Sequence, residues 1–576
     1  MLVILDGEPK EGEQRRLAFH RPPRALIRAD RLSEVPGALA ALEEARAQGG
    51  WLAGAFFYEL GYALETRLHK LLPEPCPLLL FGVFDGPGET PPAPRTEAQQ
   101  ARAYAGPLKR EWDAQAYGTR FRAVKEALAA GDIYQANLSF RAGFAFMGAP
   151  RILYEQLRAT AGAPHCAFFD DGTRQILSLS PELFFEIADG QIVSRPMKGT
   201  SAREGDDEAA RAALAASSKD RAENLMIVDL IRNDLGRIAQ TGSVTVQDLF
   251  KVETYPQLHT MVSTVAATLR PGTDIAAIVR ALFPCGSVTG APKIRAMEIL
   301  HALESSPRGA YCGAIGFFAP DGGARFNVAI RTLTIEGESG RLGIGGGVVQ
   351  DSREASEYAE CLLKARFFEA PRRSLELIET LKFDSDFIRL DRHLARMAVS
   401  ARRFAFVFDA AKARRALEQA VKGQNGPLRL RLTLDESGLH QATAAVLPAN
   451  PPHWTYAVSP ERMDSSDELL RHKTSWREIY DGEAARLKTD EVIFRNERGE
   501  LTEGARSNIF IKRDDVLLTP PLSSGLLPGI LRAELLESGA ARGAILTEAD
   551  LMDARGEVYF GNSLRGLIPA QRSPSP

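Results

Sequence analysis

Two stretches of this sequence set carboxylates at helical spacing. In EASEYAECLLKARFF, Glu357 and Glu360 are three residues apart and Lys364 follows four later, so all three share one helical face. In KDRAENLMIVDLIRNDLG, Asp220 and Glu223 share a face ahead of an apolar run. Acids and lysines so spaced ordinarily form a solvated, salt-bridged face. Four carboxylates on two helices can also hold a hard cation such as magnesium, which prefers oxygen ligands and completes its shell with water and an anionic substrate. The stretch SPELFFEIADGQIVSRPMKGTSARE reads as two strands about a turn, with Glu182 near its start and Lys198 in the tight PMKGT segment. Such a ribbon can bring a proton donor and an amine nucleophile into one cleft. A surface glutamate and a turn lysine are the plainer alternative. The glycine-rich FPCGSVTGAPK and LGIGGGVVQDS let backbone amides approach an anion, and His259 by itself reads as a packed histidine.

The last third carries a second set. SLELIETLKFDSDFIRLDRHLARMAVSARRFAF alternates apolar and basic residues at helical spacing after an acid-containing strand. Its Arg392, His393 and Arg396 read, on pattern alone, as a basic solvated face. Beyond it lie Lys473 in RHKTSWREIYDGEAARLKTDEVIF, Glu503 and Asn508 in ELTEGARSNIF, a turn entering a helix in GLLPGILR, and Ser563 in GEVYFGNSLRGLIPA.

These residues need a substantial scaffold. At 576 residues the chain exceeds what one core usually organises, and three or four domain-sized units are expected. An apolar fraction of 44% with 25% charged residues excludes global disorder. The net charge of -3, without a block of Lys or Arg, argues against a nucleic-acid partner. Five scattered cysteines, never as C-x-x-C, fit a reducing compartment. No apolar run nears the ~18 residues of a membrane helix, and the N-terminal run is too short for a signal-peptide core, so a cytoplasmic protein without membrane partners is expected. DGPGETPPAPRTEAQQ, from Asp85 to Gln100, reads as a linker or long loop, and EAPRRS, from Glu369 to Ser374, separates two folding units. WLAGAFFYELGYALE reads as a buried strand turning into a helix, Trp112 to Ala130 has helical spacing, LPANPPH is a further break, and the tail QRSPSP reads as disordered. The expected division is 1–371, with accessory strands and linker in 1–100 and a core in 101–371, followed by 372–576.

The first set of pieces, taken in order, resembles the chorismate-utilising enzymes. GDIYQANLSFR, SPELFF, RPMKGT, KDRAENLMIVDLIRNDLGRI, FPCGSVTGAPKIRAMEIL, YCGAIGFF, FNVAIRT and GGGVVQDSREASEYAECLLKARFF carry the likeness, over roughly Gly131 to Phe368. The resemblance implies Glu223 and Glu360 as magnesium ligands, with Asp220 and Glu357 in support. It implies Tyr311, Arg331, Lys364 and the amides of Thr200, Gly345 and Gly347 as grips on the substrate carboxylates, with His259 near the reacting ring. Glu182 would protonate the departing ring hydroxyl, which requires a raised pKa. Family members that add water place a lysine where this chain has Gln135, and the aminating members that make the para product have a lysine at the position of Lys198. The implied reaction is amination of chorismate to 4-amino-4-deoxychorismate, through attack by Lys198 and displacement by ammonia. No Cys-His-Glu glutaminase triad is readable, so a glutamine amidotransferase subunit is the implied ammonia source. The segment GGWLAGAFFYELGY resembles the family's accessory strands, which hold tryptophan in some members.

The second set resembles the fold-type-IV pyridoxal-phosphate enzymes, which include branched-chain and D-amino-acid aminotransferases and a lyase that consumes aminodeoxychorismate. The resemblance implies that Lys473 carries pyridoxal 5'-phosphate and acts as base, and that Glu503 holds the pyridine nitrogen. Arg396, the amides of Ile530 and Leu531, and Ser563 would bind the phosphate, the amides lying at a helix start after Pro528 and Gly529. These enzymes normally begin with a strand pair ahead of the E-T block, whereas here that block follows the first half almost directly. Either packing against the first half replaces the pair or the domain is a degenerate, non-catalytic remnant; the intact Lys473, Glu503 and Arg396 favour an active site. Joined to the first half, this domain would expel pyruvate and give p-aminobenzoate. An aminotransferase or non-catalytic interaction module at the C-terminus, or an anthranilate synthase component overall, are the alternatives. The implied fold is α+β, a large antiparallel two-sheet sandwich with flanking helices followed by a smaller two-lobed domain, and a homodimer is plausible by resemblance.

Overall fold

The strand Trp51–Phe56 shows why so much of the N-terminal sequence is apolar without alternating. Leu52 and Phe56 enter one apolar cluster, while Ala53 and Ala55 enter another. Ala314–Phe318 does likewise, with Ala314 and Phe318 on one face and Ile315 and Phe317 on the other. A strand covered on both faces reads as a continuous apolar run. In this computed structural model the described residues are 1–7, 16–91, 103–203, 206–254, 258–554 and 557–573. Most of the expected linker and the end of the expected disordered tail lie outside them.

The chain divides into two units. The first holds two sheets. One runs in the order Gly290–Ala291, Gln135–Gly148, Ser339–Val348, Thr332–Glu336, Gln175–Ser180, His165–Asp170, Leu2–Asp6, Arg16–Phe19. The other runs Met197–Ala202, Leu258–Thr268, Gln191–Arg195, Leu183–Ala188, Ala324–Val328, Ala314–Phe318, Trp51–Phe56, Leu79–Phe84, Ala25–Ala29. Val3, Phe19, Phe169 and Ile176 of the first sheet pack with Ala53, Ala55, Leu80 and Ile315 of the second, which makes the expected sandwich. The second sheet's other face is covered by the helices Val35–Ala47, Ser218–Gly236 and Ile275–Leu282, through Leu39, Ile227, Ile231 and Ile278.

Two local features aim side chains. Leu183–Ala188 and Gln191–Arg195 form a hairpin closed by Asp189 and Gly190, both at positive φ (51° and 73°), as a tight two-residue turn requires. The next strand, Met197–Ala202, shifts register against Leu258–Thr268 between Met197 and Thr200. That bulge spans Lys198 and Gly199, with Gly199 at φ 80°, and such irregularities re-aim a side chain.

The second unit takes most of its residues from Arg372 onward, together with two upstream stretches, and has two lobes. In the smaller, the sheet Asp386–Phe387, Leu377–Asp384, Leu428–Leu434, His440–Val446 is covered on one face by the helices Leu390–Phe404 and Ala410–Val421. Leu428, Leu430, Leu432 and Leu434 point into this core, while Arg429 and Arg431 alternate with them and are exposed. A strand pair from upstream belongs to the same unit: Ala103–Ala105 lies antiparallel to the end of Gln135–Gly148, with Tyr104 opposite Met147. Both residues are buried in the lobe's core, and the Tyr104 ring lies 4.9 Å from Phe404 and 6.1 Å from Trp476. The larger lobe is an eight-stranded mixed sheet ordered Leu501–Gly504, Glu491–Asn496, Trp454–Met463, Gly566–Arg572, Val558–Asn562, Asn508–Arg513, Val516–Thr519, Ala541–Gly543. Among the described residues no helix is long and apolar enough to cross a membrane.

Candidate active sites

The first unit encloses a cavity of about 190 Å³. Glu182, Lys198, Asp220, Glu223, Tyr311, Arg331, Gly345, Gly347, Glu357, Glu360 and Lys364 all line it. Glu182 is 3% exposed, and burial pushes its carboxyl up to about 7, opposed only in part by the Ser287 hydroxyl and the charge of Lys198. One of its oxygens has no hydrogen-bond partner. Gly347 leaves room beside Lys198: a Cβ there would stand 3.1 Å from the Lys198 Nζ and 3.3 Å from the Gln135 Nε2. Gln135 is wholly buried, with both polar atoms of its side chain unpartnered. Gly343 is set by Tyr311, whose ring would lie 2.1 Å from a Cβ at that position.

Charges around this cavity pair with one another. The Lys364 Nζ lies 2.9 Å from Glu360 and donates to the Gly345 carbonyl at 3.2 Å. Burial disfavours charge on both members of that pair, but each holds the other ionised, so the Glu360 pKa is lowered and the Lys364 pKa raised. The Lys219 Nζ lies 3.8 Å from Glu223 and 3.7 Å from Glu357. Burial raises the Glu223 pKa despite its lysine neighbours. Burial lowers that of Arg331. Among the described residues no three metal-ligating side chains converge as a preformed centre, because lysines stand between the carboxylates. The donors are all carboxylates facing one cavity, which fits a hard cation completed by water and substrate.

One expected group, His259, stands outside this lining. His259 is wholly buried, its Nδ1 3.0 Å from the Thr254 hydroxyl and its Nε2 3.4 Å from Asp207. Thr200 sits on its strand opposite Thr260. Sequence reasoning missed Lys219, Ser287 and Asn137. Lys219 directly precedes Asp220 in KDRAEN, so its nearness to the carboxylates was available as a signal.

The second unit encloses a larger cavity, about 500 Å³, lined by Arg396, Lys473, Glu503, Asn508, Ile530 and Ser563 among others. Burial, then the charges of Arg477 and Arg396, bring the Lys473 pKa down to about 8. Burial pushes Glu503 up to about 7, although the Tyr480 hydroxyl donates to one oxygen at 2.8 Å and the Leu527 amide to the other at 3.1 Å. The helix Ile530–Glu537 starts after Gly529 without a side-chain cap, so its first amides stay available. A Cβ on Gly529 would fall 1.8 Å from the Asn508 Oδ1, so only glycine fits there. The Leu531 side chain is buried and does not line the cavity.

The RHLARM helix does not present one basic face. Arg392 is exposed and pairs with Glu537, at 2.6 Å and 3.0 Å. His393 is buried, its Nδ1 2.6 Å from Glu379 and its Nε2 2.8 Å from the Ser563 hydroxyl. Arg396 donates twice to Glu379, at 2.8 Å and 2.7 Å, and to the Pro528 carbonyl at 3.0 Å. Glu379 is buried, yet Arg396 and His393 hold it down to about 2. One carboxylate thus fixes the arginine, the serine and the approach to the helix start. Sequence reasoning missed Glu379 and the part His393 plays.

Two sequence models of known families match the chain. The sequence model of chorismate binding enzymes matches residues 10–370, and that of class IV amino-transferases matches residues 376–572. The chain is 47% identical over 247 residues to aminodeoxychorismate synthase component 1 of Klebsiella aerogenes, covering 42% of this chain and 55% of that protein. It is 41% identical over 266 residues to anthranilate synthase component 1 of Methanothermobacter thermautotrophicus, covering 46% and 56%. The chain thus spans about half the length of the curated relatives it matches. Anthranilate synthase component I of Streptococcus pneumoniae shares the fold, with a TM-score of 0.51 and 24% identity, over 64% of this chain and 91% of that one.

Proposed function

Because the chain belongs to the chorismate binding enzyme family, we propose that its first unit aminates chorismate to 4-amino-4-deoxychorismate and its second expels pyruvate from that product to give p-aminobenzoate. The observation that carries the first assignment is Glu182 and Lys198 lining one cavity with Arg331, Lys364 and Tyr311. Glu182, with a pKa of about 7, is substantially protonated at neutral pH and gives its proton to the ring hydroxyl. As that C–O bond breaks, the Lys198 Nζ forms a C–N bond to the ring and water leaves. Ammonia then forms its own C–N bond and Lys198 departs as a free amine. Arg331, Lys364 and Tyr311 hold the substrate carboxylates against this pair. Glu223 and Glu360, supported by Asp220 and Glu357, would hold magnesium, which would neutralise a substrate carboxylate. Ammonia would come from a separate glutamine amidotransferase, as it does in the implied family pattern.

In the second unit the buried lysine, the buried Glu503 and the free amides at a helix start suit pyridoxal 5'-phosphate. Lys473, Glu503, Arg396, Ser563 and the amides of Ile530 and Leu531 would hold it. When bound, it supplies an electron sink beside the substrate amine. A Lys473 pKa of about 8 leaves a usable neutral fraction near pH 7 for removing the ring proton next to nitrogen. The bond to the enolpyruvyl oxygen then breaks, and loss of pyruvate leaves an aromatic ring.

An ortho-aminating reading is favoured by the anthranilate synthase relative, and Lys198 weighs against it. The deciding experiment is product identification by chromatography with mass detection, on purified protein given chorismate, magnesium, ammonium and pyridoxal phosphate. p-Aminobenzoate with pyruvate supports both halves. Aminodeoxychorismate alone overturns the second, and anthranilate or isochorismate overturns the first.

A further inference from the structure

We infer that the second cavity is built to take amines that carry two carboxylates, and that Arg429, Arg431 and Arg506 receive those carboxylates. The first two sit on the exposed face of the Leu428–Leu434 strand, where Arg429 and Arg431 alternate with four buried leucines. Arg506 lies between Glu503 and Asn508. All three line the cavity that holds Lys473.

The ordinary reading of such residues is a solvated basic face, and among the described residues exposed arginines divide: Arg402, Arg415 and Arg542 have no ion pair, while others find carboxylates. Arg392 pairs with Glu537, Arg414 with Asp391 and Arg513 with Asp550. Among the described residues, no hydrogen bond or ion pair is made by the guanidinium of Arg429, Arg431 or Arg506. What sets these three apart from Arg402, Arg415 and Arg542 is that all three line one cavity, the one that Lys473 lines. Arg429 and Arg431 also share one strand face, and across from Arg429 stands Lys382, itself paired with Asp384 at 2.7 Å. Like charges so placed repel, and an entering anion relieves them.

The guanidinium fork fits a carboxylate through two parallel hydrogen bonds. One carboxylate engages one or two such groups, so three, drawn from a strand and a separate loop, match a ligand with two. The inference rests on the proposed cofactor reading and deepens it. An amine held at Lys473 has its carboxylates at these arginines, and simple amino acids with apolar side chains leave part of the cluster unpaired.

The test uses the full chain loaded with pyridoxal phosphate, titrated with isophthalate, a planar dicarboxylate, or with benzoate, its monocarboxylate counterpart. Isophthalate should perturb the cofactor absorbance and inhibit pyruvate release at least tenfold more tightly than benzoate. In the triple variant Arg429→Gln, Arg431→Gln, Arg506→Gln that preference should vanish. The KM for aminodeoxychorismate should rise at least tenfold with a smaller change in kcat, and the Tm should not fall, as removal of a structural ion pair would make it do. Equal inhibition by the two acids, or an unchanged KM in the variant, overturns the inference. If no cofactor absorbance develops, the cofactor reading fails instead. Calorimetric titration of isophthalate into both proteins then decides the arginines' role: loss of a binding event in the variant sustains it, and identical isotherms overturn it.

Discussion

Glu182 in the first cavity and Glu503 in the second are raised to about the same value, near 7, by the same cause, burial. Their surroundings differ. Glu182 keeps an oxygen without a partner, whereas Glu503 has a donor on each oxygen, Tyr480 on one and the Leu527 amide on the other. A carboxyl with unused hydrogen-bonding capacity can hand over its proton, while one gripped on both sides is held in place to act through its charge. The surrounding charge differs too. In the first cavity lysines and glutamates pair with one another, while Arg429, Arg431 and Arg506 line the second beside the paired Arg396 and Arg477. Titration behaviour alone therefore does not name a residue's role, and the spare valence around it does.

Substitutions can break or sharpen this contrast. Lys473→Ala should lower pyruvate release by about 10⁴-fold or more while amination continues, so that aminodeoxychorismate accumulates in the chromatogram. A matching fall in amination would show that the two cavities are not separate catalysts. Lys198→Ala should cost about 10³-fold in amination, yet supplied aminodeoxychorismate should still yield p-aminobenzoate at the native rate. Glu182→Gln should cost about 10²-fold. Because Glu182 must be protonated, native amination should fall as pH rises through about 7, and this limb of the pH profile should be missing from the variant. The smallest effect expected is that of Tyr104→Ala. Loss of a buried ring from the small lobe should destabilise that lobe by about 3 kcal/mol, measured as weaker cofactor retention and a lower Tm, with amination spared.

Much of this was legible because the informative residues are close in sequence or sit in regular elements. Glu357, Glu360 and Lys364 face one cavity because a helix carries them, and Lys198 reaches it from a bulge in the PMKGT segment. The sandwich could be expected from strands such as WLAGAF that are apolar on both faces. The link from Glu379 through His393 to Ser563 was not legible. Its last bond joins residues 170 apart, and the helix carrying His393 has the same basic pattern as a solvated surface helix. The strand pair of Tyr104 and Met147 was hidden in the same way, since nothing local marks it as part of a lobe built mostly from Arg372 onward. The idle state of Arg429 and Arg431 is likewise a property of their surroundings, which a single strand's pattern cannot record.

That strand pair also sets an order of events during synthesis. Tyr104 leaves the ribosome long before its partner Trp476, and at about 5–20 residues per second the intervening stretch of roughly 370 residues takes about 20 to 70 s to make. Until the core residues from Leu375 onward are made, the Tyr104 and Met147 side chains have no core to enter, and apolar groups left waiting invite aggregation. Closure of so long a loop is entropically only modestly worse than closure of a short one, so the finished lobe loses little stability, but its high contact order makes it the late-assembling part of the molecule. A C-terminal piece expressed from Arg372 onward would escape the wait and would lack the two side chains altogether, leaving the small lobe's core short of a tyrosine and a methionine.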